Sequence, residues 1–366
     1  MKITEFIGLQ IFEFLYLLLL AFLPFVVLQR SVSFVILALI GLWVVYYSYK
    51  KLTTKAVEAL GKTVLITGCD SGFGHALAKR LDAVGFTVFA GCLSKESDGA
   101  TLLQNTSDRI HTLELDITKD ESIRECLETV QEHCGSKGLW ALVNNAAINY
   151  IGDVEFSSMD AYRRVGEVNL YGTINMTKQF IPLVRTAKGR IVIVTSAQGR
   201  LAVPSNSTYA ITKYGLECFS DILRLELQGF GVKVVVVEPG NFGGSTGMLS
   251  PLALSRMEEE FSNMWKHAHD DVRTSYGKDY LDSQYKSVIQ AAATAGPNIV
   301  PVIDAMEDAV SSVSPSIRYL VDGDKSWYDH SNFLIRIRPF IPDKVLDYLV
   351  KRVSVNTRPK PALATY

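Results

Sequence analysis

Tyr209-Ala-Ile-Thr-Lys213 sets a phenol and an amine four residues apart, a spacing that puts both on one face of a helix. A tyrosine of ordinary pKa, about 10, is a poor base at neutral pH, but an adjacent ammonium favours its phenolate. Such a pair can exchange a proton with an alcohol or a ketone. The spacing alone is common, since Tyr46 with Lys50 and Tyr47 with Lys51 satisfy it too, and those tyrosines read as membrane-interface anchors. Ser196 distinguishes Tyr209. It lies upstream at the end of a β-branched run, where its hydroxyl can bond a reacting oxygen or simply form a turn in Ser196-Ala-Gln-Gly.

These groups need a scaffold, and the stretch Thr63 to Ala78 begins it. A run rich in β-branched residues ends at Thr67, glycines follow at Gly68, Gly72 and Gly74, and an apolar pattern of helical period then starts. That is strand, tight loop, helix. Gly68 suits a sharp turn, Gly72 a close approach of the main chain to a pyrophosphate, and Gly74 tight packing of helix on strand. The free N–H groups of the first helical turn then face an anion. The spacing is G-x3-G-x-G, and an ordinary glycine-rich turn is the plainer alternative for this stretch taken alone.

From Thr63 onward apolar runs alternate with helical patterns, which predicts a parallel sheet with helices on both faces. Strands are expected at 63–67, 87–90, 110–115, 139–143, 190–195, 232–237 and 318–321. In such sheets ligands bind beyond the carboxyl ends of the strands. The residues to watch are therefore Gly68, Cys92, Asp116, Asn144 with Asn145, Ser196, and Pro239 with Gly240. The segment from Asn241 to about Pro301 reads as the least regular.

A chain of 366 residues has room for one large α/β domain and an appendage. Its net charge of −1 and lack of a long basic block give no nucleic-acid footprint. Five cysteines without a Cys-x-x-Cys pair argue against a disulfide framework or a zinc site. His267-Ala-His269-Asp270 reads as solvated surface rather than as metal ligands, because an i, i+2 pair points to opposite sides of a helix. No metal is expected.

Two apolar runs, about Ile7–Leu28 and Val32–Tyr49, each approach the length of a bilayer crossing. The second ends in Tyr46, Tyr47 and Tyr49 before Lys50 and Lys51, which suits an interface; the first carries Gln10 and Glu13. If both cross, Lys2 shares a side with Lys50, Lys51 and Lys55, and the catalytic part lies in the cytosol. The expectation is an anchor over 1–55, a catalytic domain over 60–325 and an extension over 326–366. The endoplasmic reticulum is the favoured membrane and the mitochondrial membrane the alternative. The sequons at Asn105, Asn175 and Asn206 matter only if that topology is reversed.

Taken together, Thr67-Gly-x3-Gly-x-Gly74, Asp116, Asn144-Asn-Ala146, Asn169, Ser196, Tyr209-x3-Lys213 and Pro239-Gly240 resemble the short-chain dehydrogenase/reductase family over roughly 62–321. The stretches Thr67–Gly74, Val88–Leu93 and Val237–Phe242 are similar to the branch holding D-β-hydroxybutyrate dehydrogenase, retinol dehydrogenases and type 2 17β-hydroxysteroid dehydrogenase. The resemblance implies a Rossmann doubly wound sheet of about seven strands and a homo-dimer or tetramer. It implies that Tyr209 is the catalytic acid/base, that Lys213 lowers its pKa and holds the nicotinamide ribose, and that Ser196 steadies the substrate oxygen. Asn169 would hold a water linking Lys213 to solvent; its plain alternative is an amide bonded locally. Gly68, Ser71, Gly72, Phe73, Gly74, Cys92, Asp116, Asn144, Asn145, Ala146, Pro239 and Gly240 would line the cofactor with Tyr209 and Lys213, and Asp116 would accept from the adenine amino group.

Two positions depart from the family's pattern. Ala147 stands where the family has glycine, and Cys92 stands where many NAD-binding members carry an acid. Phosphate recognition would need a cation, and Lys95 is the local one, Ser71 being the residue before Gly72. NAD is favoured over NADP. Phe242, Met248, Leu249, Leu252, Leu254, Met257, Phe261, Met264 and Trp265 make the segment 241–301 an apolar lid suited to a steroid or retinoid alcohol, or equally to a core. The competing substrate is D-3-hydroxybutyrate, with Gln198 or Arg200 as carboxylate partner, and the competing class is a nucleotide-binding membrane scaffold without catalysis.

Overall fold

The computed structural model describes residues 29–46, 55–325 and 329–353. Residues 29–46 form helix α1 (Gln29–Tyr46), with mean hydropathy 1.6 and every side chain exposed, long and apolar enough to cross a bilayer. The first apolar run lies outside the described residues. By contacts the chain divides into two units at Lys55.

Seven parallel strands make one sheet: β1 (Thr63–Thr67), β2 (Thr87–Cys92), β3 (Ile110–Glu114), β4 (Ala141–Asn144), β5 (Arg190–Val194), β6 (Lys233–Pro239) and β7 (Arg318–Val321). Their order is β3-β2-β1-β4-β5-β6-β7, so the winding reverses between β1 and β4. The reversal opens a crevice at the carboxyl edge, where ligands of such sheets bind. Apart from the edge strands β3 and β7, the strands are buried on both sides almost throughout, as their unbroken apolar runs require. Within β1, Val64 and Ile66 join one core layer while Leu65 joins the other.

Helices α2 (Gly72–Val84), α3 (Asp98–Gln104), α4 (Asp120–Cys134), α5 (Met159–Gly166), α6 (Thr173–Thr186) and α7 (Ser207–Leu227) follow the strands, with α11 (Val300–Ser311) before β7. A π-helical turn at Glu167–Gly172 joins α5 to α6. Such turns cluster at functional sites because they displace main-chain carbonyls from the regular ladder.

The segment after Asn241 is not irregular. It holds α8 (Pro251–His267), α9 (Asp270–Tyr276) and α10 (Lys278–Thr294). Ser250 caps α8 through its side chain and Pro251 occupies the first turn, a start signal that the sequence carried. Met257, Phe261 and Met264 then recur at helical spacing and pack with Tyr150 and Phe156. Tyr280 of α10 donates to Asp153 at 2.5 Å, tying these helices to the loop beyond β4. At the far end, α12 (His330–Ile337) and α13 (Asp343–Val353) pack Leu334, Ile335, Leu346 and Val350 against Ala197 and Leu201, just beyond Ser196. Residues 354–366 lie outside the described residues.

Candidate active site

Ser196 follows β5, while Tyr209 and Lys213 occupy the first two turns of α7. All three are buried. The Ser196 Oγ accepts from the Gln198 N–H at 3.1 Å, lies 3.5 Å from the Pro239 carbonyl, and is hydrogen-bonded to the Tyr209 side chain. The Lys213 Nζ donates to the Val194 carbonyl at 2.9 Å and stands 5.4 Å from the centroid of the Tyr209 ring. The three side chains thus meet at the carboxyl end of β5.

Burial has a cost that residue spacing did not reveal. It pushes the Tyr209 phenol up to about 12, against the opposing bond from Ser196. It pulls Lys213 down to about 8, against the attraction of Glu217 one turn further along α7. Desolvation disfavours whichever form is charged, so the site resists both phenolate and ammonium until further charge is supplied.

Asn169 sits in the π turn with no exposed surface. Its side-chain oxygen accepts from the Ile148 N–H at 2.8 Å, and its amide donates to the Ile148 carbonyl at 2.9 Å and to Thr212 at 3.2 Å. The side chain therefore clamps the loop after β4 to α7, as a locally bonded amide would.

Around the glycine loop the residues fit a dinucleotide. Gly72 has φ +62°, a conformation that side chains strain to adopt. A Cβ on Gly74 would lie 2.3 Å from the Gly68 carbonyl, so only glycine lets α2 press against the loop. Ser71 caps α2 with no side-chain bond to it, and the first turn holds no acid. Its N–H groups are left for an anion. Asn145 braces the loop by donating to the carbonyls of Thr67 and Gly68, at 2.9 and 3.0 Å, while the Thr67 hydroxyl accepts from the N–H groups of Asn145 and Ala146. Phe73 meets Phe242 edge to face, with centroids 5.9 Å apart.

Asn144 donates to Thr177 of α6 at 2.9 Å. Cys92 is the last residue of β2, and its thiol lies in the core, where burial pushes it up to about 12. Asp116 binds the Thr118 hydroxyl at 2.6 Å and the Lys119 ammonium at 3.1 Å. Burial raises its carboxyl, but these partners outweigh that and hold it below its usual range. A Cβ on Gly240 would meet Asp329, so that glycine lets the loops beyond β6 and β7 close on each other. Ala147, which stands where the family has glycine, adopts no left-handed backbone. His267 and His269 are exposed, and no group of three or more metal-ligating side chains occurs among the described residues.

Four residues were missed. Asp70, in the glycine loop, reaches to the end of β2, where its carboxylate accepts from the Leu93 N–H at 2.9 Å and the Ser97 hydroxyl at 3.1 Å. It was legible as an acid inside the glycine motif. Thr246 lies over Gly72, whose added Cβ would come 3.4 Å from it. The buried Glu217 pairs with the partly exposed Arg318, and no local signal could have joined them.

A proton-transferring cluster and an anion-ready glycine loop on one parallel sheet are the arrangement of a nucleotide-dependent oxidoreductase. Comparison with known proteins supplies the family. Its model, described as short chain dehydrogenase, matches residues 62–255. Rat mitochondrial D-beta-hydroxybutyrate dehydrogenase is 42% identical over 80% of this chain and 86% of its own. Human 17-beta-hydroxysteroid dehydrogenase type 6 is 40% identical over 89% of this chain and 98% of its own. A solved short chain dehydrogenase from Burkholderia cenocepacia, in complex with NADP, shares the fold with a TM-score of 0.58 at 21% identity, over 80% of this chain and 99% of that one. The chain belongs to the short chain dehydrogenase family. It is an oxidoreductase that interconverts a small-molecule alcohol and its carbonyl form with a nicotinamide dinucleotide.

The buried lysine makes stability depend on pH. Between its folded value of about 8 and an unfolded value of about 10.4, the unfolded chain holds a proton that the folded chain has released. Stability should therefore rise with pH across that window, by on the order of 3 kcal/mol from this group. Urea denaturation at pH 8 and pH 10 should show the Lys213 contribution to that rise in the parent and its absence in Lys213→Met.

Proposed function

We propose that the chain oxidises a lipophilic secondary or primary alcohol, or reduces its carbonyl form, with Tyr209 as acid/base and NAD as the favoured cofactor. The observation that carries this reading is the meeting of Ser196, Tyr209 and Lys213 in one buried cluster. When bound, the nicotinamide ring accepts or supplies the hydride. Tyr209 takes the hydroxyl proton during oxidation and returns it during reduction. Ser196 donates to the substrate oxygen and keeps it against Tyr209. Lys213 presents an ammonium that favours the phenolate and donates to the ribose hydroxyls. Exchange with solvent at Asn169 would use its main-chain carbonyl in the π turn, since its side chain is committed to Ile148 and Thr212.

Asp70 supports NAD. Its carboxylate sits at the end of β2 where the adenosine ribose is read, so ribose hydroxyls would donate to it and a 2′-phosphate would be repelled. Lys95, the cation on that loop, is exposed. The cradle for the pyrophosphate is Gly68, Ser71, Gly72, Phe73 and Gly74, with Thr246 above it.

A lipophilic substrate is supported by the lid over 241–301, which presents Leu249, Met257, Phe261 and Met264 to Tyr150 and Phe156. The 17-beta-hydroxysteroid dehydrogenase relative points the same way. D-3-hydroxybutyrate is the second reading, favoured by the 42% identity to the rat enzyme. It would require a carboxylate partner, and Arg200 faces the buried Glu238 at 3.5 Å instead. Gln198, bonded to Asn206, remains its candidate. We further propose that 1–55 anchors a cytosolic catalytic domain, 60–325, followed by a C-terminal extension, 326–366. The endoplasmic reticulum is favoured, and the mitochondrial membrane, which the rat relative's name carries, is the alternative.

Tyr209→Phe should lose about 10²- to 10⁴-fold in kcat with its fold intact, and undiminished turnover in that variant would remove the enzyme mechanism. Steady-state kinetics on a steroid alcohol, retinol and D-3-hydroxybutyrate, each with NAD and NADP, should give the highest kcat/KM for a lipophilic alcohol with NAD; Asp70→Asn should narrow the cofactor preference. After alkaline carbonate extraction the full chain should stay in the membrane pellet, and its release into the supernatant would dismiss the anchor.

A further inference from the structure

Lys213 is 2% exposed, and its Nζ has the Val194 carbonyl as a hydrogen-bond acceptor. A dipole alone is poor compensation for a charge removed from water. The nearest formal counter-charge is Glu217, on the same face of α7 one turn on. Glu217 is itself buried, and Arg318 of β7 pairs with its carboxylate. A Cβ on Gly199 would lie 3.0 Å from the Glu217 Cγ, so the loop after Ser196 also rests directly on this side chain.

The surrounding charges form a closed set. Glu238 of β6, fully buried, accepts from Arg318 at 2.8 Å and faces Arg200 at 3.5 Å. Asp221 of α7 takes Arg318 at 2.8 Å and Arg224 at 2.5 Å. The carboxylates Glu217, Glu238 and Asp221 thus stand against the guanidinium groups Arg200, Arg224 and Arg318, and Lys213 adds one positive charge. Ionised Tyr209 is the group that would neutralise it. Without Arg318 between them, Glu217 and Glu238 would repel each other towards the neutral acid.

We propose that Glu217 is a positioning residue for this reaction: fixed by Arg318 and by its contact with Gly199, its carboxylate favours the protonated state of the Tyr209–Lys213 pair in the buried site. The inference rests on the catalytic reading given above and deepens it. It makes Arg318, on the last strand, part of the support of the proton-transfer pair. Removing a neighbouring negative charge lowers the hold on protons of either group, whichever of the two carries them.

The test compares pH profiles of kcat/KM for the full chain with NADH and the carbonyl form of whichever of the three alcohols turns over. In Glu217→Gln the alkaline limb should move down by on the order of one to two pH units. Glu217→Asp, which keeps the charge, should return the limb towards its parental position. Should the amide variant fail to fold, Glu217→Met fills similar space without charge and carries the same expectation. A limb that stays in place in the folded, uncharged variant, with activity lowered evenly at all pH values, would overturn the proposal. Tyr209→Phe separates the two ideas: if it stays active the catalytic reading fails, whereas an inactive Tyr209→Phe beside an unmoved Glu217→Gln profile removes only the role given to Glu217.

Discussion

A positive charge buried at the carboxyl edge of the sheet governs the construction around it. Lys213 leaves water to reach Tyr209, and in a medium of low dielectric its charge must be answered nearby. The Val194 carbonyl answers it at the end of β5, and Glu217 answers it along α7. Since Glu217 is also buried, it needs Arg318, and Arg318 in turn gathers Glu238 and Asp221. One lysine thereby links α7 to the ends of three strands.

The same economy holds the cofactor side. Asn145 and Thr67 spend their hydrogen bonds on the turn that leads into α2, and Gly74 allows the contact that no larger residue would. The helix start stays free of side-chain caps and acids, a configuration that would be wasteful unless an anion came to it. Asn169 completes the frame by clamping Ile148 to α7 from inside the π turn.

The lid is built from a different interaction. Its three helices bury an apolar cluster against Tyr150 and Phe156, and polar contacts from Tyr280 and Tyr276 to Asp153 and Glu155 fix them over the loop beyond β4. The C-terminal helices do the same for the loop between Ser196 and Tyr209, with Arg338 donating to the Arg200 carbonyl and to Tyr214. Both additions steady loops rather than the sheet, which is where specificity varies on a common scaffold.

Local pattern was enough for the sheet. The limits of β1 and β7 coincide with the runs expected at 63–67 and 318–321; β1 is buried along its whole length, as a central parallel strand must be. The lid helices were equally present as Ser250-Pro251 and the spacing of Met257, Phe261 and Met264, but an apolar cluster among charges also reads as a loop. The sequence by itself determined the strand order of chemistry: glycine loop, serine after the fifth strand, tyrosine and lysine one turn apart. Only the tertiary structure decided how strongly burial opposes their charged forms, and that Glu217 meets an arginine 101 residues away. The reason is physical: periodicity and spacing are properties of neighbours along the chain, whereas desolvation and ion pairing depend on which distant elements the fold brings into contact.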